Sequence, residues 1–165
     1  MFPPKLIVSP IDFSEHSHEA LKTAAEMAKA FDSELLLIHA VPAIPRLPSP
    51  DEFFHEAKFE TALHQEAERR LAKLAKELSD RGLRARTEVG VANDVGMEIL
   101  RIAEHNHADM IVIATHGMTG WHALAFGSVA EKVVKMAACP VLVLRAARKE
   151  EDAGSARGRH SVAVQ

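Results

Sequence analysis

One stretch of this chain gathers residues suited to holding an anion. It runs Ala114-Thr115-His116-Gly117-Met118-Thr119-Gly120, continues through Trp121-His122-Ala123-Leu124-Ala125-Phe126, and ends Gly127-Ser128-Val129-Ala130-Glu131. Three glycines between a strand-like run and a helix-like run let backbone N–H groups approach an anion closely. A helix starting near Ser128 aims its dipole and its free N–H groups at the same point. That is the chemistry of a phosphate cradle. A second reading stays open: Ser128-x-x-Glu131 has the spacing of a capping box, which alone accounts for both side chains, and glycines also serve turns. The two readings are compatible, because a hydroxyl can accept from a backbone N–H and donate to a phosphate oxygen.

Other chemistries are missing from the sequence. There is no Gly-x4-Gly-Lys-Ser/Thr loop and no Gly-x-Gly-x-x-Gly after a strand. Without a Gly-x-Ser-x-Gly elbow, Ser128 is a poor esterase nucleophile. Ten histidines raise the question of a metal. His16/His18 and His105/His107 are spaced by two, which puts them on different helix faces, and His55 and His64 also diverge. They read as solvated surface residues, with His39 a hydrogen-bonded, half-buried residue at a strand end. No metal site is expected. Cys139 is the single cysteine, which excludes an internal disulfide and a Cys-rich zinc site. It reads as a small packing residue, with no charged neighbour in sequence to lower its pKa. No acid–base pair is spaced for catalysis, so no catalytic residue is assigned.

The elements that must position the glycine-rich stretch are legible as periodicity. Five short apolar runs, 5–9, 34–40, 84–89, 109–114 and 140–144, predict strands. Four are nearly continuous in Leu, Ile and Val, as in a parallel sheet buried on both faces. The third, Arg84-Ala85-Arg86-Thr87-Glu88-Val89, alternates with charge and suits an edge. Helical spacing fills the gaps: Leu21, Ala24, Ala25, Ala28 and Phe31; Leu63, Ala67, Leu71, Leu74 and Leu78; Val95, Ile99, Ile102 and Ala103; Val129, Val133, Met136 and Ala137. Ser14, Asp51 or a neighbour, and Asn93-Asp94 supply start signals, and Gly82 a stop. Strand and helix alternate throughout, which predicts right-handed βαβ units in an open α/β sheet. Val41 to Pro50, with four prolines, reads as a stiff exposed loop.

The chain has 165 residues, 47% of them hydrophobic and 26% charged, which excludes a disordered chain and suffices for one core without staples. Residues 1–146 read as one domain. Residues 147–165 read as a polar, mobile tail carrying Lys149-Glu150-Glu151-Asp152 and then Gly154-Ser155-Ala156-Arg157-Gly158-Arg159. A formal net charge of −3 gives no pull toward nucleic acid or an anionic membrane. No apolar stretch approaches the ~20 residues that span a bilayer. The start, Met1-Phe2-Pro3-Pro4-Lys5, lacks a secretory pattern. A cytoplasmic protein is the expectation.

Four segments in order carry a resemblance: Val8-Ser9-Pro10-Ile11-Asp12-Phe13-Ser14, Leu37-Ile38-His39-Ala40-Val41, Ala114-Thr115-His116-Gly117 with Gly127-Ser128, and Cys139-Pro140-Val141-Leu142-Val143-Leu144. From about Lys5 to Arg145 the chain resembles the universal stress protein family. The nucleotide motif of that family's ATP-binding branch is Gly-x2-Gly-x9-Gly-Ser/Thr. Gly117, Gly127 and Ser128 match it, and Ala114 replaces the first glycine. The resemblance implies a five-stranded parallel sheet in order 3-2-1-4-5 with helices on both faces, of the Rossmann-like, adenine nucleotide alpha hydrolase-like kind. It implies ATP as ligand, with Mg²⁺ or Mn²⁺. Pro10 and Asp12 would line the crevice, Asp12 toward ribose or a metal. Ala40 would offer backbone to adenine, and Ile113, Ala114, His116 and Gly117 would form a wall. Gly127, Ser128, Val129 and Ala130 would hold phosphates. Met118 stands where many relatives carry Arg or Lys, and Ala130 where a second hydroxyl often helps.

A homodimer through strand 140–145 also follows from the resemblance. Its function would be that of a nucleotide-responsive stress or regulatory factor with at most weak ATP hydrolysis. Two alternatives stand beside it: a nucleotide-free interaction module acting through its dimer surface, and a slow metal-dependent hydrolase using Asp12 and His116. Trp121, the sole tryptophan in a chain without tyrosine, is expected to report nucleotide binding through its emission.

Overall fold

The computed structural model describes residues 2–43, 50–115 and 127–145. Each predicted run becomes a strand and each helical repeat a helix. In chain order they are β1 (Leu6–Pro10), α1 (Glu15–Phe31), β2 (Glu34–Pro42), α2 (Pro50–Asp80), β3 (Arg84–Ala92), α3 (Val95–His105), β4 (Met110–Thr115), α4 (Ser128–Met136) and β5 (Val141–Arg145). All strand pairs are parallel and the order is β3-β2-β1-β4-β5, as expected.

The continuous apolar runs are explained by two cores, one on each side of the sheet. Successive strand residues point to opposite faces. Val8, Leu36, Ile38, Ile111 and Ile113 therefore pack with Ile99 and Ile102 of α3 and Val133 of α4. Ile7, Leu35, Leu37 and Val112 pack with Leu21, Ala24 and Ala28 of α1 and Leu71 and Leu78 of α2. Burying each such side chain contributes roughly 1.5–3 kcal/mol. β3 occupies one edge. Its charged side chains pair along the rim: Arg86 Nε lies 2.6 Å from Glu34 Oε1, and Asn106 Nδ2 donates to Glu88 Oε2 at 2.9 Å.

Helix ends follow local chemistry. The Ser14 side chain accepts from the Ser17 N–H at 3.2 Å, and Asp94 Oδ1 accepts from the Met97 N–H at 3.1 Å. After α2 the chain turns through Gly82, whose φ of 81° is cheap for glycine. The proline-rich loop is shorter than predicted. Val41 and Pro42 complete β2, in register with Val91 and Ala92, and Pro50 opens α2. Proline is tolerated at both places because it ends one element and begins the other, where its missing N–H matters least. Residues 44–49, the 116–126 connection and the 147–165 tail lie outside the described residues.

Candidate functional site

The site begins with how β1 and β4 meet. Ile7 registers with Met110 and Val8 with Ile111. Below that register Asp109 clamps the two strands: its Oδ2 accepts from the N–H groups of Lys5 at 2.8 Å and Leu6 at 3.0 Å. These two donors, Leu6 first, hold the carboxyl below its ordinary range. Above the register β1 continues alongside β2, with the Ile11 N–H donating to the Ile38 carbonyl at 2.8 Å. There, where the strand order reverses, a cleft of about 300 Å³ opens. Open α/β sheets bind ligands at such a point, beyond the carboxyl ends of the strands.

The cleft collects the predicted residues from four segments. Pro10 and Asp12 line it from the end of β1, and Ala40 from β2. Ile113 and Ala114 come from β4, and Gly127, Ser128, Val129 and Ala130 from the start of α4. His116 and Gly117 lie outside the described residues. Ile38, Ile99 and Ile113 give an apolar floor, while Ala40, Ala114, Gly127 and Ala130 keep the walls thin. Val95 and Ile99 of α3 were not foreseen as lining. Their spacing marked them as core, and nothing in it told the rim of a core from its centre.

On the β1 side the backbone is held in an unusual turn. Asp12 Oδ1 accepts from the Ser14 N–H at 2.9 Å, and Phe13 adopts φ 63°. That left-handed conformation is uncommon for a bulky residue. The Phe13 ring lies against His39, centroids 4.7 Å apart, and the Arg70 guanidinium sits 3.8 Å from its centroid. His39 Nδ1 is 2.6 Å from the Ile11 carbonyl. A carbonyl only accepts, so Nδ1 carries the proton. His39 is thus half-buried and hydrogen-bonded, as its place in the sequence suggested.

On the opposite side α4 corrects one expectation. Gly127 occupies the N-cap position, so no side chain caps this helix, and Ser128 is its first helical residue. The capping box does not form, because its serine sits one residue past the cap. Glu131 turns instead to Lys135, at 2.6 Å, and that bond lowers its pKa. Gly127 has φ −59°, so its conformation does not itself require glycine. Next to this turn, Lys132 bonds the Asp94 carboxylate at the start of α3. The Lys132 bond, and then the Met97 N–H, hold the Asp94 pKa down. The Lys132 stem covers Gly96, where a Cβ would fall 2.9 Å from Lys132 Cδ. Neither contact was visible in the sequence, since both join residues far apart in the chain.

Among the described residues, no group of three or more His, Cys, Asp or Glu side chains could hold a metal ion. Burial raises the pKa of the Cys139 thiol. No helix among the described residues is long and apolar enough to cross a membrane.

Comparison with known proteins agrees with the architecture. Residues 4–145 match the model of the universal stress protein family. Universal stress protein MJ0531 of Methanocaldococcus jannaschii is 40% identical over 148 residues, covering 88% of this chain and 85% of that protein. The solved structure of MJ0577, from the same organism, superposes with a TM-score of 0.72 at 30% identity, covering 87% of this chain and 97% of the other. A universal stress protein from Archaeoglobus fulgidus in complex with dAMP shares the fold at 24% identity and a TM-score of 0.56, covering 87% and 98%. By sequence and by fold, the chain belongs to the universal stress protein family.

Proposed function

We propose that the protein binds an adenine nucleotide, ATP, in the cleft between β1 and β4, and acts as a nucleotide-responsive stress or regulatory factor. One observation carries this reading: Pro10, Asp12, Ala40, Ala114 and Gly127–Ala130, from four separate segments, line a single cleft at the reversal of strand order. In this reading adenine lies on the apolar floor beside Ala40, ribose near Asp12, and the phosphates at the first turn of α4. A helix start whose N–H groups have no side-chain cap is suited to an anion. A divalent cation, Mg²⁺ or Mn²⁺, would arrive with the phosphates. Nothing in this reading needs a catalytic acid–base pair, so any hydrolysis is slow and incidental. The protein works in the cytoplasm as a homodimer, pairing along β5.

The test is calorimetry with ATP, together with mass spectrometry of small molecules released from the denatured, purified protein. Binding of ATP is expected, along with its loss in Gly127→Val while the circular dichroism spectrum is unchanged. Because the Gly127 φ is ordinary, that loss reads as lost space in the cleft. No heat with ATP, AMP or adenosine would overturn the reading in favour of a nucleotide-free interaction module. Rapid turnover with Mn²⁺ would favour the hydrolase.

A further inference from the structure

The turn that carries Asp12 is anchored at both ends. On the β2 side the Ile11 N–H donates to the Ile38 carbonyl at 2.8 Å, and the Ile11 carbonyl accepts from His39 Nδ1 at 2.6 Å. On the α1 side Asp12 Oδ1 accepts from the Ser14 N–H at 2.9 Å, and the Ser14 side chain accepts from the Ser17 N–H at 3.2 Å. Between the two anchors stands Phe13, in the left-handed region at φ 63°. A bulky residue keeps that conformation only where its surroundings hold it.

What holds Phe13 is its ring. It packs against the core that α1 and α2 share with the sheet. Its centroid lies 4.7 Å from that of His39, and the Arg70 guanidinium is 3.8 Å from it, close enough for a cation–π contact. Arg70 is exposed on α2, while its neighbour Leu71 is fully buried, which fixes the place from which Arg70 reaches. His39 acts twice: Nδ1 holds Ile11, and the ring meets Phe13. Asp12, next in the chain to both Ile11 and Phe13, is therefore placed by what its two neighbours touch. An ionised carboxylate only accepts hydrogen bonds, and ribose offers it a pair of adjacent hydroxyls. Recognition then depends on where the carboxylate is held, to within about 0.5 Å.

We propose that His39, Phe13 and Arg70 are positioning residues that hold the Asp12 carboxylate toward the ribose hydroxyls. Arg70 is not among the described residues that line the cleft, so a side chain of α2 sets how strongly the site distinguishes a ribonucleotide from one without those hydroxyls. This rests on the nucleotide reading of the cleft, in which ribose lies near Asp12.

The test is calorimetry on the full chain with ATP and with its dideoxy analogue, which has the same base and charge and lacks both ribose hydroxyls. The ratio of the two affinities cancels every contribution common to both ligands. The unaltered chain is expected to favour ATP about tenfold or more, as for hydrogen bonds to a charged group. Asp12→Ala should bring the ratio to about one. Arg70→Ala should lower it about two- to fivefold. His39→Phe, which keeps a ring against Phe13 and removes the Nδ1 donor, should lower it by a similar factor. Arg70 is exposed, so Arg70→Ala is expected to keep the circular dichroism spectrum of the unaltered chain and decides the matter should His39→Phe fail to fold. An unchanged ratio in either folded variant, or an equal loss of affinity for both ligands, would overturn the positioning assignment and leave the nucleotide reading standing. A ratio near one in the unaltered chain would overturn it as well. No binding of either ligand by the unaltered chain would overturn both readings.

Discussion

The carboxylate of Glu98 fills the space directly over Gly90. A Cβ on Gly90 would collide with Glu98 Oε1 and fall 2.6 Å from its Cγ. Glu98 is 9% exposed and is bound by Arg101 at 2.6 Å, so its stem and its head are both fixed. α3 therefore approaches β3 as closely as it does because β3 has no side chain there. Gly90→Val is expected to cost about 1–3 kcal/mol, the range for overpacking, measured by urea unfolding. Adding Glu98→Ala to Gly90→Val should recover part of that loss. If the double variant were less stable than Gly90→Val alone, the contact would not be the cause.

Asp109 ties β4 to the start of β1 and titrates with a visible consequence. Its carboxyl lies below the ordinary range because the backbone N–H groups of Leu6 and Lys5 favour the charged form. The stabilisation is thus present above the unfolded pKa, about 3.9, and is lost as pH falls through the lower folded value. Asp109→Ala should have a lower melting temperature than the unaltered chain at neutral pH. The gap should narrow on acidification below about pH 4. A gap that stays constant from neutral to acid pH would show that the carboxylate charge contributes nothing.

Lys132 and Asp94 join α4 to the start of α3. In Lys132→Met the Asp94 carboxyl should titrate at a higher pH than in the unaltered chain, because its largest depressing influence is gone. It should stay below the ordinary carboxylate value, since the Met97 N–H remains. Carbon-detected NMR titration of Asp94 measures both. Melting temperature should change little, as the pair is solvent-screened. An unchanged Asp94 midpoint would show that the pair does not persist in solution.

β5 leaves an edge that nothing in the described chain covers. Val141, Leu142, Val143 and Leu144 are only half-buried, and on neighbouring α4 Val134 and Met136 are 45% and 56% exposed. An apolar edge whose one charge, Arg145, stands at its end invites pairing with a second copy. Light scattering at micromolar protein should give twice the 18.1 kDa chain mass. A monomer mass would remove the proposed dimer.

Much of this fold is legible in the sequence because strands buried on both faces cannot hide. Met110 to Ala114 has no polar residue to spend on a solvent face, and Arg84 to Glu88 alternates because β3 has one. The strand order came with the resemblance, since no run of residues states its own neighbours. Boundaries were read less well. Pro42 and Pro50 looked like loop because proline is usually a breaker, yet each sits at the one position of its element that proline tolerates. Ser128 and Glu131 had the spacing of a cap, and the spacing was uninformative once Gly127 took the cap position. The contacts of Glu98 with Gly90 and of Lys132 with Gly96 were invisible, because each depends on how two helices and a strand settle against one another.

The short seam between β1 and β4 divides the molecule unevenly. Residues 6–92 build three strands with two helices in near-sequential order, and within the sheet the remaining two strands join them along the register of Ile7 and Val8, clamped from below by Asp109, while the cores on both faces pack across the same line. The cleft straddles the open end of that seam, with Pro10 on one bank and Ala114 on the other. Whatever molecule touches both banks holds the two parts together, and its binding energy adds to the cost of parting them. With such a molecule bound, amide exchange in β4 would slow as occupancy rises. If the cleft takes the ligand proposed above, the persistence of the folded chain, and so its abundance under proteolysis, would become a running record of how full the cleft has been.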